Sequence, residues 1–137
     1  MLFKILDNVL ATAGISQFSY KVLNEGLHQT NSYENAATTS WTVLDVCDLY
    51  DNNSNSLNDY KDKIDLAWNL IQKHGKVVIC CVAGISRSNV IALGVLVKYF
   101  NMGFYEAWEL VKSKVPIANI DPAHIEKLKK LFNVTLS

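Results

Sequence analysis

The sequence predicts an α/β domain built on a central, mostly parallel twisted sheet of four to five strands flanked by helices. Three observations predict it. Trp41–Cys47 (WTVLDVC) and Val77–Cys80 are short, apolar, β-branched runs of the length of buried strands. Between them Leu57, Tyr60, Ile64, Ala67, Trp68 and Ile71 recur at helical spacing. A second apolar helical stretch, Val90 to Phe100, follows the second strand. Strand, helix, strand, helix is the order that a parallel sheet with crossover helices requires.

In chain order, Phe3–Leu6 and Asn8–Ala11 read as two short strands around Asp7-Asn8. Ser16 can cap a helix from about Gln17 to Asn24, which Gly26 would end. His28 to Ser40 is polar with little alternation and reads as a loop with a short strand at most. After the Trp41–Cys47 strand comes a polar loop, DLYDNNSNS, and then the Leu57–Lys73 helix, stopped by His74-Gly75. The helix beyond Ser86–Ser88 is apolar almost all round and is therefore expected to be buried. Phe104, Ala107, Trp108 and Val111 mark another helix. Asp121-Pro122 starts a last one, because Asp is favoured at the N-cap and Pro at the first helical position; Ile125, Leu128 and Leu131 would face the core.

With 137 residues, half of them apolar, the chain is expected to form one domain spanning residues 1–137. Zero formal net charge leaves no electrostatic footprint for nucleic acid or an anionic membrane, so neither is expected as a partner. No run of eighteen apolar residues suggests a membrane span. The start, MLFKILDNVL, does not read as a secretory signal; Leu2 is not a myristoylation glycine, and no prenylation box is seen. Three cysteines, two of them adjacent, do not make a disulfide framework. A monomer in the reducing cytoplasm, or also the nucleus, is the expectation. His28, His74 and His124 are scattered and no spacing resembles a metal site, so no metal or cofactor is expected. The Lys127, Lys129 and Lys130 group reads as a solvated helix face, and Trp41, Trp68 and Trp108 as core.

The chemistry concentrates in Lys76–Phe100 (KVVICCVAGISRSNVIALGVLVKYF). A small-residue loop between a strand end and a helix start aims several backbone N–H groups at one point, and the helix dipole adds positive potential there. Such a place favours phosphate. Cys81 opens the loop, Arg87 closes it, and Gly84 sits where the chain must bend. The field that holds phosphate also stabilises a thiolate. Val82, Ala83, Gly84, Ile85, Ser86 and Arg87 therefore form a candidate phosphate cradle with Cys81 as nucleophile at its floor. Arg87 is the only arginine among thirteen basic residues. In a chain that otherwise uses lysine, its planar fork stands where two phosphate oxygens can be held at once. Phosphate-ester cleavage also needs a proton donor for the leaving oxygen. The loop after WTVLDVC ends on the same side of a parallel sheet and offers Asp48 and Asp51.

Cys81-Val-Ala-Gly-Ile-Ser-Arg87-Ser88 resembles the signature of the dual-specificity branch of cysteine-dependent protein phosphatases, and its AGISRS core is similar to that of the MAP-kinase-phosphatase-like members. The resemblance covers roughly Leu44 to Leu131. It implies a metal-free mechanism through a phosphocysteine intermediate. It also implies a general acid about six residues before the apolar residue that begins the next helix, here Leu57, and that count selects Asp51 over Asp48. Ser88 is expected to donate a hydrogen bond toward the Cys81 sulfur and stabilise the thiolate as it leaves; a plain early-helix role is the alternative. Asn119 matches a position commonly Asn in the family and reads as a loop brace. One departure stands out: the residue before the nucleophile is usually His, and here it is Cys80. A thiol is a weak donor and braces a loop poorly. The Cys80–Cys81 pair also raises a redox reading, in which oxidised Cys81 is trapped by Cys80 or Cys47.

The cradle interior carries no Lys or Arg apart from Arg87, unlike sites for multiply charged inositol lipids or RNA ends, which points to a phosphoprotein substrate. With no second arginine for a second phosphate, simple phosphotyrosine is favoured, with some phosphoserine or phosphothreonine. The expected function is a protein phosphatase of this kind. The alternative, motivated by Cys80, is a weak or inactive phosphate-binding pseudophosphatase acting as a scaffold or substrate trap.

Overall fold

The computed structural model describes residues 2–14, 20–25, 28–33 and 41–134, with side chains described in 2–14 and 41–134. The elements in order are β1 (Leu2–Leu6), β2 (Leu10–Gly14), β3 (Tyr20–Glu25), β4 (His28–Tyr33), β5 (Thr42–Asp45), α1 (Leu57–His74), β6 (Val77–Cys81), α2 (Arg87–Tyr99), α3 (Phe104–Lys114) and α4 (Pro122–Leu131). One sheet has the order β1-β2-β6-β5; β1 pairs with β2 antiparallel, while β2 and β5 both pair parallel with β6. The predicted mostly parallel α/β sheet is therefore what forms, with β6 between two parallel neighbours.

Alternation along β6 splits the interior. Val77, Ile79 and Cys81 join one core with Leu10 and Leu44 and with residues from all four helices, including Ile64, Leu93, Phe104 and Leu128. Val78 and Cys80 join Ala11, Ala13, Trp41 and Val43 on the opposite face. Among the described residues the helices thus cover one face of the sheet rather than both. This alternation places Cys81 on the helix side and Cys80 away from it.

Helix ends follow local chemistry. Ser56 caps α1 through a reciprocal box: its hydroxyl accepts from Asp59 N–H at 3.1 Å, and its own N–H donates to Asp59 Oδ2 at 2.7 Å. Gly75, at φ 86°, terminates it. Asp121 caps α4 by accepting from Ala123 N–H, with Pro122 first in the helix as expected. The N-cap of α2, Ser86, makes no side-chain cap hydrogen bond, so its first N–H groups stay open toward the Cys81 loop.

Two expectations are corrected and a third is made definite. The second strand begins at Leu10, not Asn8, because Asp7–Val9 form a turn with Asn8 at φ 59°, a conformation Asn tolerates. The helix expected from Gln17 to Asn24 is not formed over Tyr20–Glu25, which is strand β3; Ser16, Gln17 and Gly26 lie outside the described residues. The polar stretch from His28 is β4 as far as Tyr33, paired antiparallel with β3 from Glu25↔His28 to Tyr20↔Tyr33. A short segment with weak local preference takes its state from its pairing partner. The rest of the expected loop, 34–40, lies outside the described residues.

Candidate active site

The Cys81–Arg87 loop leaves the carboxyl end of β6, where a parallel sheet opens a crevice. Cys81 is 2% exposed, at the bottom of a pocket of about 360 Å³ lined by Asp51, Val82, Ala83, Ile85, Ser86, Arg87 and Asp121. Burial opposes ionisation of this thiol. Hydrogen bonds from the Ser88 hydroxyl and from the backbone N–H groups of Ser88, Gly84 and Ser86 more than offset it, and the pKa falls below the ordinary thiol value. Ser88 Oγ stands 3.3 Å from Cys81 Sγ and is fully buried.

Side chains outside the loop keep those N–H groups pointing inward. Asn89 donates from Nδ2 to the carbonyls of Gly84 (3.0 Å) and Ile85 (2.9 Å), turning them away from the pocket, and accepts from the buried Thr12 hydroxyl at 2.9 Å. Asn119 braces the loop through its backbone, whose N–H donates to Ile85 carbonyl at 2.9 Å. Ser86 Oγ accepts from Asp121 N–H at 2.9 Å. Gly84 adopts φ 75°, and a Cβ there would lie 2.7 Å from Gly14 N; a Cβ on Gly14 would meet Val82 O at 3.0 Å. Loop and β2 end thus touch backbone to backbone, a contact that requires glycine at 84 and leaves a side chain at 14 tightly crowded.

Arg87, first residue of α2, is held by two carbonyls of the β5–α1 connection: Nη1 donates to Cys47 O (2.9 Å) and Leu49 O (3.0 Å). These bonds leave the rest of the guanidinium for a ligand. Asp51, from the same connection, lines the pocket with Cys81 and Arg87. Burial raises the Asp51 pKa, but hydrogen bonds from His124 and Ser86, with the nearby charge of Arg87, outweigh it and bring the pKa below the usual carboxylate value. Asp48 lies elsewhere, paired with the buried Lys63 at 2.8 Å.

Cys80 is fully buried on the far face of β6, and its burial, then Asp45, pushes the thiol well above its ordinary pKa. Cys47 is pushed up to about 12 by burial and by Asp45. Of the three thiols only Cys81 is set up to ionise.

Of the signature segment, Cys81, Val82, Ala83, Ile85, Ser86 and Arg87 line one pocket with Asp51, while Gly84 and Ser88 act on Cys81 by hydrogen bonds without lining it. Sequence reasoning missed Thr12, Gly14, Asn89 and His124. Gly14 next to a small-residue strand carried a faint signal of close backbone approach; the other three carried none, since each acts across the fold.

A comparison with family models matches residues 8–134 to "Dual specificity phosphatase, catalytic domain". The chain belongs to the dual-specificity phosphatase family. It is 36% identical over 92 residues to dual specificity protein phosphatase 1B of Arabidopsis thaliana, covering 64% of this chain and 53% of that one. With human dual specificity protein phosphatase 21 it shares 35% identity over 82 residues, 56% of this chain and 43% of that one. The chain spans about half or less of these curated relatives. Among solved structures, DUSP15 superposes with a TM-score of 0.69 at 15% identity, covering 94% of this chain and 85% of that one. Human DUSP28 gives 0.57 at 20% identity, covering 62% and 60%. Both share the dual-specificity phosphatase fold.

Proposed function

We propose that this dual-specificity phosphatase family member is an active, metal-independent protein phosphatase that works through a phosphocysteine intermediate. The observation that carries the reading is a buried thiol with a depressed pKa at the floor of a pocket shared with Arg87 and a carboxylate. In the first step Cys81 Sγ attacks phosphorus; a P–S bond forms, the P–O bond to the leaving group breaks, and Asp51 gives that oxygen its proton. Arg87 and the loop N–H groups hold the equatorial oxygens as charge builds on them. In the second step Asp51 takes a proton from water, the water oxygen attacks phosphorus, and the P–S bond breaks. Ser88 receives the departing thiolate with a hydrogen bond, and inorganic phosphate is released.

Substrate class follows from the rim. Val82 and Ile85 are 55% and 39% exposed and offer apolar surface beside the phosphate position, suited to an aromatic ring. Asp51 and Asp121 are the carboxylates in the pocket and Arg87 its cation, so a second phosphate would meet repulsion. A phosphotyrosine segment fits this better than a multiply phosphorylated ligand, with phosphoserine and phosphothreonine secondary. A low-pKa thiol that has to stay reduced to act suits a reducing compartment, the cytoplasm or nucleus.

The alternative of an inactive scaffold rested on Cys80. The thiol field is built from Ser88, the loop N–H groups and their Asn89 brace, none of which uses residue 80, and this supports an active enzyme. The test is hydrolysis of an aryl phosphate in reductant and EDTA by the parent, Cys81→Ser and Asp51→Asn. Turnover that survives EDTA, vanishes in Cys81→Ser and falls on the order of a hundredfold in Asp51→Asn is expected. A parent that binds phosphopeptide without turning over would establish the scaffold instead.

A further inference from the structure

His124 is fully buried on α4, yet one edge of its ring reaches the pocket: Nε2 lies 2.9 Å from Asp51 Oδ1. The other edge meets Tyr60 on α1, with Nδ1 2.6 Å from the phenol oxygen. Tyr60 is likewise fully buried and Asn55 nearly so. Which groups donate can be worked out from the far end of this chain of contacts. Tyr50 N–H donates to Asn55 Oδ1 at 3.0 Å, and Tyr50 carbonyl accepts from Asn55 Nδ2 at 2.7 Å. A backbone N–H can only donate and a carbonyl only accept, so the Asn55 amide has one orientation. Its second Nδ2 hydrogen then donates to Tyr60 Oη at 3.2 Å. Among the described residues the Tyr60 hydrogen has one acceptor, His124 Nδ1. With Nδ1 accepting, the ring carries its hydrogen on Nε2 and donates it to Asp51 Oδ1.

We propose that His124 is a positioning residue for the proton donor: the line Tyr50 backbone, Asn55, Tyr60, His124 presents one fixed N–H to Asp51 Oδ1 and so reserves Oδ2 for the transferred proton. An exposed aspartate on a loop rotates freely, with either oxygen able to carry the hydrogen. Here Oδ1 is an acceptor from a rigid, buried donor, so the proton resides on Oδ2 and the carboxyl plane is fixed. In the second step the same oxygen receives the proton from water. The inference rests on the reading of Asp51 as the proton donor.

Asp51 faces further charged or titratable groups: Arg87 and the Ser86 hydroxyl from the cradle, Cys81 across the pocket and Asp121 ahead of α4. Tyr60 also feels Asp59 and Asp121, and Lys127 donates to Asn55 O at 2.8 Å. Of these the Ser86 hydroxyl also hydrogen-bonds to Asp51, but it is a rotatable donor, whereas the His124 N–H at Oδ1 is held by a fully buried ring.

The variants His124→Phe, His124→Gln and Tyr60→Phe test this, with Gln able to return an N–H toward Asp51. The first readout needs no turnover: carboxyl carbon NMR of Asp51 across pH in a Cys81→Ser background. His124→Phe is expected to raise the pH at which Asp51 titrates, and His124→Gln to restore it in large part. The second is the pH profile of kcat/KM on an aryl phosphate. The limb lost as Asp51 ionises should move to higher pH in His124→Phe, while the plateau falls on the order of tenfold. Ring nitrogen NMR of the unsubstituted protein should show His124 with hydrogen on Nε2, a readout that holds even where a variant fails to fold. An Nδ1–H ring, or an Asp51 titration unmoved in folded His124→Phe, overturns the inference while leaving the phosphatase reading intact. A parent without Cys81-dependent turnover overturns both.

Discussion

Cys81 is more acidic than an ordinary thiol because short-range donors outweigh burial. Ser88 is first among those donors, since its hydroxyl is buried against the sulfur. Ser88→Ala should therefore raise the Cys81 pKa, moving the pH dependence of its alkylation by iodoacetamide upward. It should also slow release of the phosphocysteine more than its formation, seen as a burst in stopped-flow assays. Cys47, pushed up to about 12, and the buried Cys80 should stay unlabelled in the folded protein at neutral pH. Peptide mapping after brief alkylation reads this directly. Cys80 also projects to the opposite face of β6 from Cys81, which weakens its place as a redox trap. Enlarging residue 80 to His would overfill a closed cluster with Ala11, Ala13, Trp41, Val43 and Val78, costing about 1–3 kcal/mol by chemical denaturation.

Three segments make the cradle: the β6–α2 loop, the end of β2 and the approach to α4. The loop turns at Gly84 with positive φ and rests on the backbone of Ala13 and Gly14. Since the opposing atoms are main chain, they cannot swing aside. Gly84→Ala should lift the loop from β2 and misdirect its N–H groups, lowering kcat/KM on the order of a hundredfold in aryl phosphate assays. A wild-type rate in this variant would show that the loop is not held there. Close approach recurs inside the core: a Cβ on Gly94 of α2 would overlap the Ile64 side chain of α1. These two helices sit near enough for Asp65 of α1 to accept from Lys98 Nζ (2.6 Å) and Tyr99 Oη (2.5 Å) of α2, and from Lys61 Nζ (3.1 Å) within α1.

That carboxylate links stability to acidity for the whole molecule. Burial would raise the Asp65 pKa, but the bonds from Lys98, Tyr99 and Lys61 bring it down to about 2 from 3.8. The folded state therefore favours the ionised form; the stabilisation is full above the unfolded value and is lost as pH falls toward about 2. Asp65→Asn should lose about 1 kcal/mol near neutral pH, the solvent-screened worth of partly exposed ion pairs. The gap between parent and variant should close in acid, which thermal melts across pH would show. A constant gap would mean that the contact acts through shape rather than charge.

Strands β5 and β6, helices α1 to α4, the Gly75 stop, the Asp121 cap and the Cys81–Ser88 loop could be read from sequence because each is set by neighbours in the chain. Apolar spacing, cap residues and the small-residue loop are all local signals. The β3–β4 pair was legible only in part, since its segments have weak local preference and depend on each other for pairing. Asp51 was selected by a family spacing, not by its own surroundings. What tertiary structure alone decided are the contacts that aim the chemistry. Thr12 reaches Asn89 across 77 positions, Tyr60 reaches His124 across 64, and His124 reaches Asp51 across 73. A hydrogen bond depends on distance in space, and nothing in the spacing of such distant residues records it. By itself the sequence determined that a small-residue loop holding Cys81 and Arg87 would join a buried strand to a helix; the fold decided which side chains surround that thiol and Asp51.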